Sequence, residues 1–256
     1  GSKMDAMEQR RNTIVDLVNQ SGNISFAQLK KKFPQISEMT LRTDLKALDE
    51  AKRIVRVHGG AKSVDVVVGT DDMLSRRLVR NMEAKQLIAQ KALSFIRKDT
   101  AIFLDSGSST TALASCMPDQ SNLIYTNSLT CAAELSKLKE PAIHVLAGTM
   151  NRYSMGVCGI HTIQEVQRIN FDQAFMGVTS YCSQAGFTCG VDEEAVLKKT
   201  VMGQAEQAIV LMDSSKVGVK STYSICGLHD VDILISDGSL PQDFLEACRE
   251  CQVQVI

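Results

Sequence analysis

Asp105-Ser106-Gly107-Ser108-Ser109-Thr110 places a carboxylate, a glycine and four hydroxyls in six consecutive positions. The run follows the apolar stretch 100–104 and stands where a helix should begin. Such a loop offers backbone amides and hydroxyls to an anion, with the positive end of the helix dipole behind them. Thr126-Asn127-Ser128 repeats the pattern after the apolar stretch 122–125. Lys216, in Asp213-Ser214-Ser215-Lys216, adds a point charge suited to a phosphate or carboxylate. Gly148 and Gly177 close further apolar stretches, and Lys198 shares a helical face with Glu194, four residues earlier, in reach of the same place. One such loop would be an ordinary turn. Three at corresponding strand ends predict a site for a phosphorylated small molecule.

A second set of residues suits nucleic acid. Leu41, Leu45 and Leu48 form one ridge of a helix that Ser37 caps and Glu38 favours near its positive end. At about 100° per residue the opposite face centres on Met39, Thr43 and Lys46, flanked by Thr40 and Arg42. A major groove admits such a helix; arginine pairs with guanine, and threonine meets a thymine methyl or a phosphate. Residues 53–58 then alternate and end at Gly59-Gly60, which permits a tight reversal. Val55 and Val57 point one way; Arg56, His58 and Ile54 point the other. Arg53, Arg56, His58 and Lys62 would line a wing touching phosphate or minor groove, supplying affinity more than specificity.

The elements that must hold these residues follow from periodicity. A helix is expected over about 6–20, ending at Gly22-Asn23. Ser25-Phe26-Ala27-Gln28 has capping-box spacing, and Pro34 stops the helix it opens. Residues 66–68 read as a short strand or an apolar tether, and Arg76, Arg77 and Arg80 as part of a helical segment. A helix over 83–97 leads into alternating strands and helices, with strands at 100–104, 122–125, 143–146, 174–176, 209–212 and 233–235 and a helix at 192–205. Repeated strand–polar loop–helix units predict an open, mostly parallel Rossmann-like α/β sheet, with ligands beyond the carboxyl ends of its strands. The expected organisation is a DNA-binding head at 4–62, a linker at 63–80 and an effector-binding body at 81–256.

Composition narrows the classes. The 256 residues carry a net charge of −1, divided as +5 over residues 1–62 and −6 over the rest, so only the head is built to meet a phosphate backbone. A hydrophobic content of 44% supplies a core, yet no run approaches the roughly 18 to 20 apolar residues of a membrane helix. The eight cysteines lack framework spacing and read as reduced cytosolic thiols. Cys248-Arg249-Glu250-Cys251 stands alone, and the four histidines lack metal spacing, so no metal is expected. No G-x-G-x-x-G follows the first strand of the body and no G-x-x-x-x-G-K-[ST] occurs, so no nucleotide cofactor is expected either.

Thr40-Leu41-Arg42-Thr43-Asp44-Leu45, Leu48 and Arg56-x-His58-Gly59-Gly60-Ala61 resemble the N-terminal signature of the DeoR family of bacterial transcription regulators. Asp105-x-Gly107-Ser108-Ser109-Thr110, Thr126-Asn127-Ser128-Leu129, Phe175-x-Gly177, Gly186-x-Thr188 and Asp213-Ser214-Ser215-Lys216-x-Gly218 look like that family's effector domain, which is similar to ribose-phosphate isomerases and CoA transferases. Thr43 stands where the family usually has a second arginine, and Gly148-Thr149 where it has Gly-Gly. The resemblance implies a winged helix-turn-helix followed by an α/β sensor, a cytoplasmic repressor of a sugar operon. Its partners would be a double-stranded DNA operator, a phosphorylated sugar held by 105–110, 126–128, Gly177 and Lys216, and further copies of itself in a dimer or tetramer. The alternative is a sugar-phosphate isomerase or transferase-like enzyme with an accessory DNA-binding head, for which Asp105, Glu193 and Glu194 are the candidate bases. A body that serves only assembly is a third reading.

Overall fold

The computed structural model describes residues 3–63 and 81–256, so the expected linker, with 66–68, Arg76, Arg77 and Arg80, lies outside the described residues. The head runs α1 (Lys3–Ser21), β1 (Asn23–Ser25), α2 (Phe26–Lys32), α3 (Glu38–Glu50), β2 (Val55–Val57) and β3 (Gly60–Lys62). The Ser25 hydroxyl accepts the Gln28 amide at 3.0 Å and the Gln28 side chain accepts the Ser25 amide at 2.9 Å, so the capping box forms as the spacing requires. Ser37 caps α3 through the Thr40 amide. Leu41, Leu45 and Leu48 join Ile14, Val18, Ile24, Leu29, Ile54 and Ala61 in one small core.

Two features of the head depart from the sequence reading. Residues after Gly22 do not merely end a helix: β1 pairs antiparallel with β3, which also pairs with β2. Ile54 does not share the Arg56 face, because it precedes β2 and is fully buried under α3. The turn between β2 and β3 needs its glycines. Gly59 has φ +83°, and a Cβ on Gly60 would lie 2.0 Å from the Ile24 carbonyl oxygen. Asp44 is the buried joint of the head, since its two carboxylate oxygens accept Arg10 at 2.6 Å and Arg11 at 2.8 Å and so tie α3 to α1.

The body begins with α4 (Met82–Leu93) and β4 (Ala101–Leu104), then α5 (Ser108–Ser115), β5 (Leu123–Thr126), α6 (Leu129–Leu135) and β6 (Ala142–Val145). A hairpin, β7 (Thr149–Asn151) and β8 (Gly156–Cys158), precedes α7 (Ile160–Val166) and β9 (Phe171–Gly177). β10 (Ser180–Cys182) and β11 (Gly186–Cys189) lead to α8 (Asp192–Gly203), β12 (Ala205–Leu211), β13 (Tyr223–Cys226), β14 (Ile233–Ile235), α9 (Gln242–Glu250) and β15 (Gln254–Val255). Seven strands form one sheet in the order β15-β14-β12-β9-β4-β5-β6, with every pairing parallel. Two cores cover its faces, one around Phe103, Phe171 and Phe187, the other around Ile88, Leu104 and Phe175. Apolar residues on both faces of β4 and β9 explain why these strands read as continuous runs and not as alternating ones. The smaller sheet β10-β11-β13 and the β7–β8 hairpin lie outside the parallel repeat.

Strand order reverses between β4 and β9: from β4 the chain winds outward through β5 and β6, and from β9 through β12, β14 and β15. That switch point leaves a crevice at the carboxyl ends of the two strands. Asp44→Ala, which removes the acceptor shared by Arg10 and Arg11, is expected to destabilise the head by about 1.5–3 kcal/mol. Urea unfolding followed by helical circular dichroism measures this; an unaltered first transition would show that the joint carries no weight.

Candidate effector cleft and DNA-reading helix

At the switch point the loop after β4 meets the end of β9 and the buried face of α8. Asp105 is almost fully buried; one carboxylate oxygen accepts its neighbour's Ser106 amide at 2.8 Å, the other accepts the Gly177 amide at 3.1 Å. The Lys198 ammonium donates to that second oxygen and, at 2.9 Å, to the Gly177 carbonyl. Burial alone would push the Lys198 ammonium down; the carboxylates of Asp105 and Glu194 reverse this and hold it above the ordinary lysine value. Burial likewise pushes the neighbouring Cys158 thiol up, to about 12, with Glu194 adding to the effect. Asp105 and Lys198 therefore neutralise each other beneath the cleft.

Above them lies a cleft of about 640 Å³, open solvent at its mouth included. Ser106, Gly107, Ser108 and Ser109 form one wall, Gly177 and Thr179 the floor, and Lys85, Lys198 and Lys216 converge from α4, α8 and the turn after β12. Gly107, at φ +145°, precedes α5 and brings no side chain to its first amides, so the helix start opens uncapped on the cleft. Uncapped amides and the helix dipole attract an anion. Asp213 is turned to local use, with one oxygen held by the amide and hydroxyl of Ser215.

Other residues named from sequence lie elsewhere. Thr110 is buried and its hydroxyl donates to the Gly107 carbonyl within the first turn of α5. The Thr126 hydroxyl donates to the Leu104 carbonyl at 2.7 Å and accepts the Ser128 amide, and the Ser128 hydroxyl caps α6 at the Cys131 amide. Asn127 is buried beside Ser106 under the β7–β8 hairpin: a Cβ on Gly156 would lie 3.1 Å from the Ser106 hydroxyl oxygen and 3.4 Å from the Asn127 amide nitrogen. The Asn127 amide donates to the Val157 carbonyl, while its Oδ1 is buried without a hydrogen-bond partner. Gly148 packs against Thr162, 2.2 Å from where its Cβ would stand, and does not line the cleft. Lys85 was missed by the sequence reading. The signal was present, since Lys85 falls on the buried stripe Ile88, Ala89 and Ala92 of α4, an improbable seat for a lysine without a polar destination.

On the head, Met39 is 78% exposed, and Arg42, Thr43 and Lys46 are exposed beside it. The Arg42 guanidinium lies 4.4 Å over the Phe26 ring, which fixes its stem while leaving donors outward. The Thr43 hydroxyl donates back to the Met39 carbonyl, and Thr40 shares a hydrogen bond with Ser37. Lys46 lies 3.9 Å from Glu50, a contact worth little at an exposed site. Arg53 bonds Asn12 of α1 at 2.8 Å, and Arg56 and His58 stand exposed on the hairpin of β2 and β3.

An exposed helix with a backing ridge, an antiparallel wing and an α/β body carrying a polar cleft define a ligand-sensing DNA-binding regulator. The DeoR-like helix-turn-helix domain matches residues 10–67 and the DeoR C terminal sensor domain residues 80–238. The chain belongs to the DeoR family and is a DNA-binding transcriptional regulator. It is 29% identical to the HTH-type transcriptional regulator GlpR of Haloferax volcanii, over 97% of this chain and 96% of that one. It is 30% identical to the HTH-type transcriptional regulator GolR of Listeria innocua, over 91% of each. The glycerol-3-phosphate regulon repressor of Escherichia coli is 27% identical, over 96% of this chain and 97% of the relative.

Lys198→Met should lower stability by about 3–5 kcal/mol by leaving Asp105 buried and unpaired, and adding Asp105→Asn should recover much of that loss. Urea titration of the four proteins tests this, and simple additivity would show that the two do not act as a pair. Because the folded value of the ammonium lies above the ordinary 10.5, the contribution is whole below that pH and is lost only as pH rises through the folded value.

Proposed function

We propose that this regulator is a repressor of a sugar-catabolism operon, controlled by a phosphorylated sugar or a related phosphorylated metabolite bound in the switch-point cleft. The observation that carries this reading is the convergence of Lys85, Lys216 and the uncapped start of α5 on one small polar cleft, which Glu194 and Asp213 also line and beneath which Asp105 and Lys198 pair. A phosphate group meets two ammonium groups and a helix dipole there, and Ser106, Ser108 and Ser109 supply hydroxyls. The name of one relative, a glycerol-3-phosphate regulon repressor, supports a small phosphorylated effector. Met39, Arg42, Thr43 and Lys46 enter the major groove, Ser37 and Thr40 set the start of that helix, and Arg53, Arg56 and His58 hold the flanking backbone. Two heads on a two-fold axis read half-sites roughly 34–36 Å apart, or multiples of this, so the working form is a dimer or tetramer. Among the described residues no helix is long and apolar enough to cross a membrane, and the protein works in the cytoplasm on its operator.

A thermal-shift screen of phosphorylated sugars and polyols against their unphosphorylated forms tests the effector class. A specific ligand at about 100 times its Kd adds roughly 2.7 kcal/mol of stability and raises Tm; equal responses to the phosphorylated and free sugars would remove the phosphate from the account. Lys85→Met should abolish the shift and leave DNA binding in place. Arg42→Ala should do the reverse, weakening operator binding by about 1–3 kcal/mol in a titration at fixed salt. An unchanged titration would mean that α3 does not read the groove.

A further inference from the structure

The cleft is not built by the sensor alone. Ser21, the last residue of α1 in the head, lines it together with Lys216. The Lys216 ammonium donates to the Ser21 carbonyl at 3.2 Å, across 195 positions of sequence. Two further contacts flank that bond. The Gln28 side-chain amide donates to the Ser214 carbonyl at 3.3 Å, and Gly218, at φ +85°, stands where a Cβ would lie 3.3 Å from the Ser25 Cβ.

The Ser21 carbonyl is a C-terminal helix carbonyl of α1, one of the groups that carry the negative end of the helix dipole. Lys216 therefore caps α1 as a cation at a helix C-terminus. A phosphate in the cleft is a stronger acceptor than this carbonyl, because both partners of its hydrogen bond are charged. The ammonium has three donors, so the competition is for the space beside it: Ser21 and the start of α5 line the same small cleft, and a phosphate seated there meets the Ser21 carbonyl as a second negative acceptor.

We propose that effector and head compete for the space beside Lys216: the Ser21 carbonyl occupies part of the phosphate's place, and binding of the phosphorylated effector expels the end of α1 from the cleft. This rests on the reading of the cleft as a phosphate site and adds the route by which occupancy reaches the head. α1 is the lever. Its far side holds Asp44 of α3 through Arg10 and Arg11, so displacing α1 displaces the DNA-reading helix with it. The coupling is reciprocal, so a docked head lowers effector affinity by the factor by which effector lowers docking.

Hydrogen exchange read by mass spectrometry on the full chain, with inorganic phosphate as the probe and chloride at equal ionic strength as control, tests the proposal. Phosphate should slow exchange over 106–110 and speed it over 21–28 by about fivefold or more, the lower end of common allosteric couplings. In Lys216→Met the 21–28 segment should exchange fast without phosphate and show no further response. Slower or unchanged exchange over 21–28, with protection gained at 106–110, overturns the competition while leaving the phosphate site standing. No change at 106–110 overturns the phosphate site itself. The wild-type arm decides the matter even if the variant folds poorly.

Discussion

The buried contact between Asp105 and Lys198 is the constraint on which the sensor depends. It joins three elements that arrive separately at the switch point: the loop after β4, the end of β9 and the middle of α8. Asp105 also orders its own loop by accepting the Ser106 amide, so the shape of the cradle is set from below. An unpaired charge at that depth would cost several kcal/mol, which is why the two residues are useful only together. Their mutual neutralisation has a chemical consequence. Lys85, Lys216 and the start of α5 border the open cleft above the pair, and the proposed anion site draws on them.

Much of this was legible in the sequence because the body is a parallel sheet. Strands covered on both faces show as short apolar runs, and the loop at each carboxyl end shows as small and hydroxylic residues. Hence β4, β5, β6, β9, β12 and β14 were found to within a few residues. Shorter antiparallel pieces such as β7–β8 and β10–β11–β13 lack that signature, since strands of three or four residues give periodicity little to work with. The site was partly legible for the same reason. Ser106–Ser109, Gly177, Lys198 and Lys216 were named from strand ends and a helical face, and they line one cleft. Thr126 and Ser128 look the same in sequence but spend their hydroxyls on Leu104 and Cys131. Residue type does not tell a ligand hydroxyl from a capping one; only the direction of the bond does.

The head illustrates the other limit. Its capping box, leucine ridge and exposed α3 face follow from local spacing, and local spacing is what a sequence records best. What no local pattern records is that α1 ends inside the sensor's cleft. Ser21 and Lys216 are ordinary residues at ordinary helix and turn positions, and their meeting is a fact of tertiary structure. The same helix carries Arg10 and Arg11, so one element touches both the cleft and the buried carboxylate under the exposed face of α3.

Under the proposed competition the cleft and the DNA-reading helix share a thermodynamic link. It is tested most directly by titrating the phosphorylated ligand identified by thermal shift into the full chain, with and without saturating operator DNA selected from a random pool. DNA should weaken the ligand by the same factor by which the ligand weakens DNA, about 5- to 150-fold for couplings of 1–3 kcal/mol. Equal ligand affinity in the two titrations would mean that cleft and operator are not coupled.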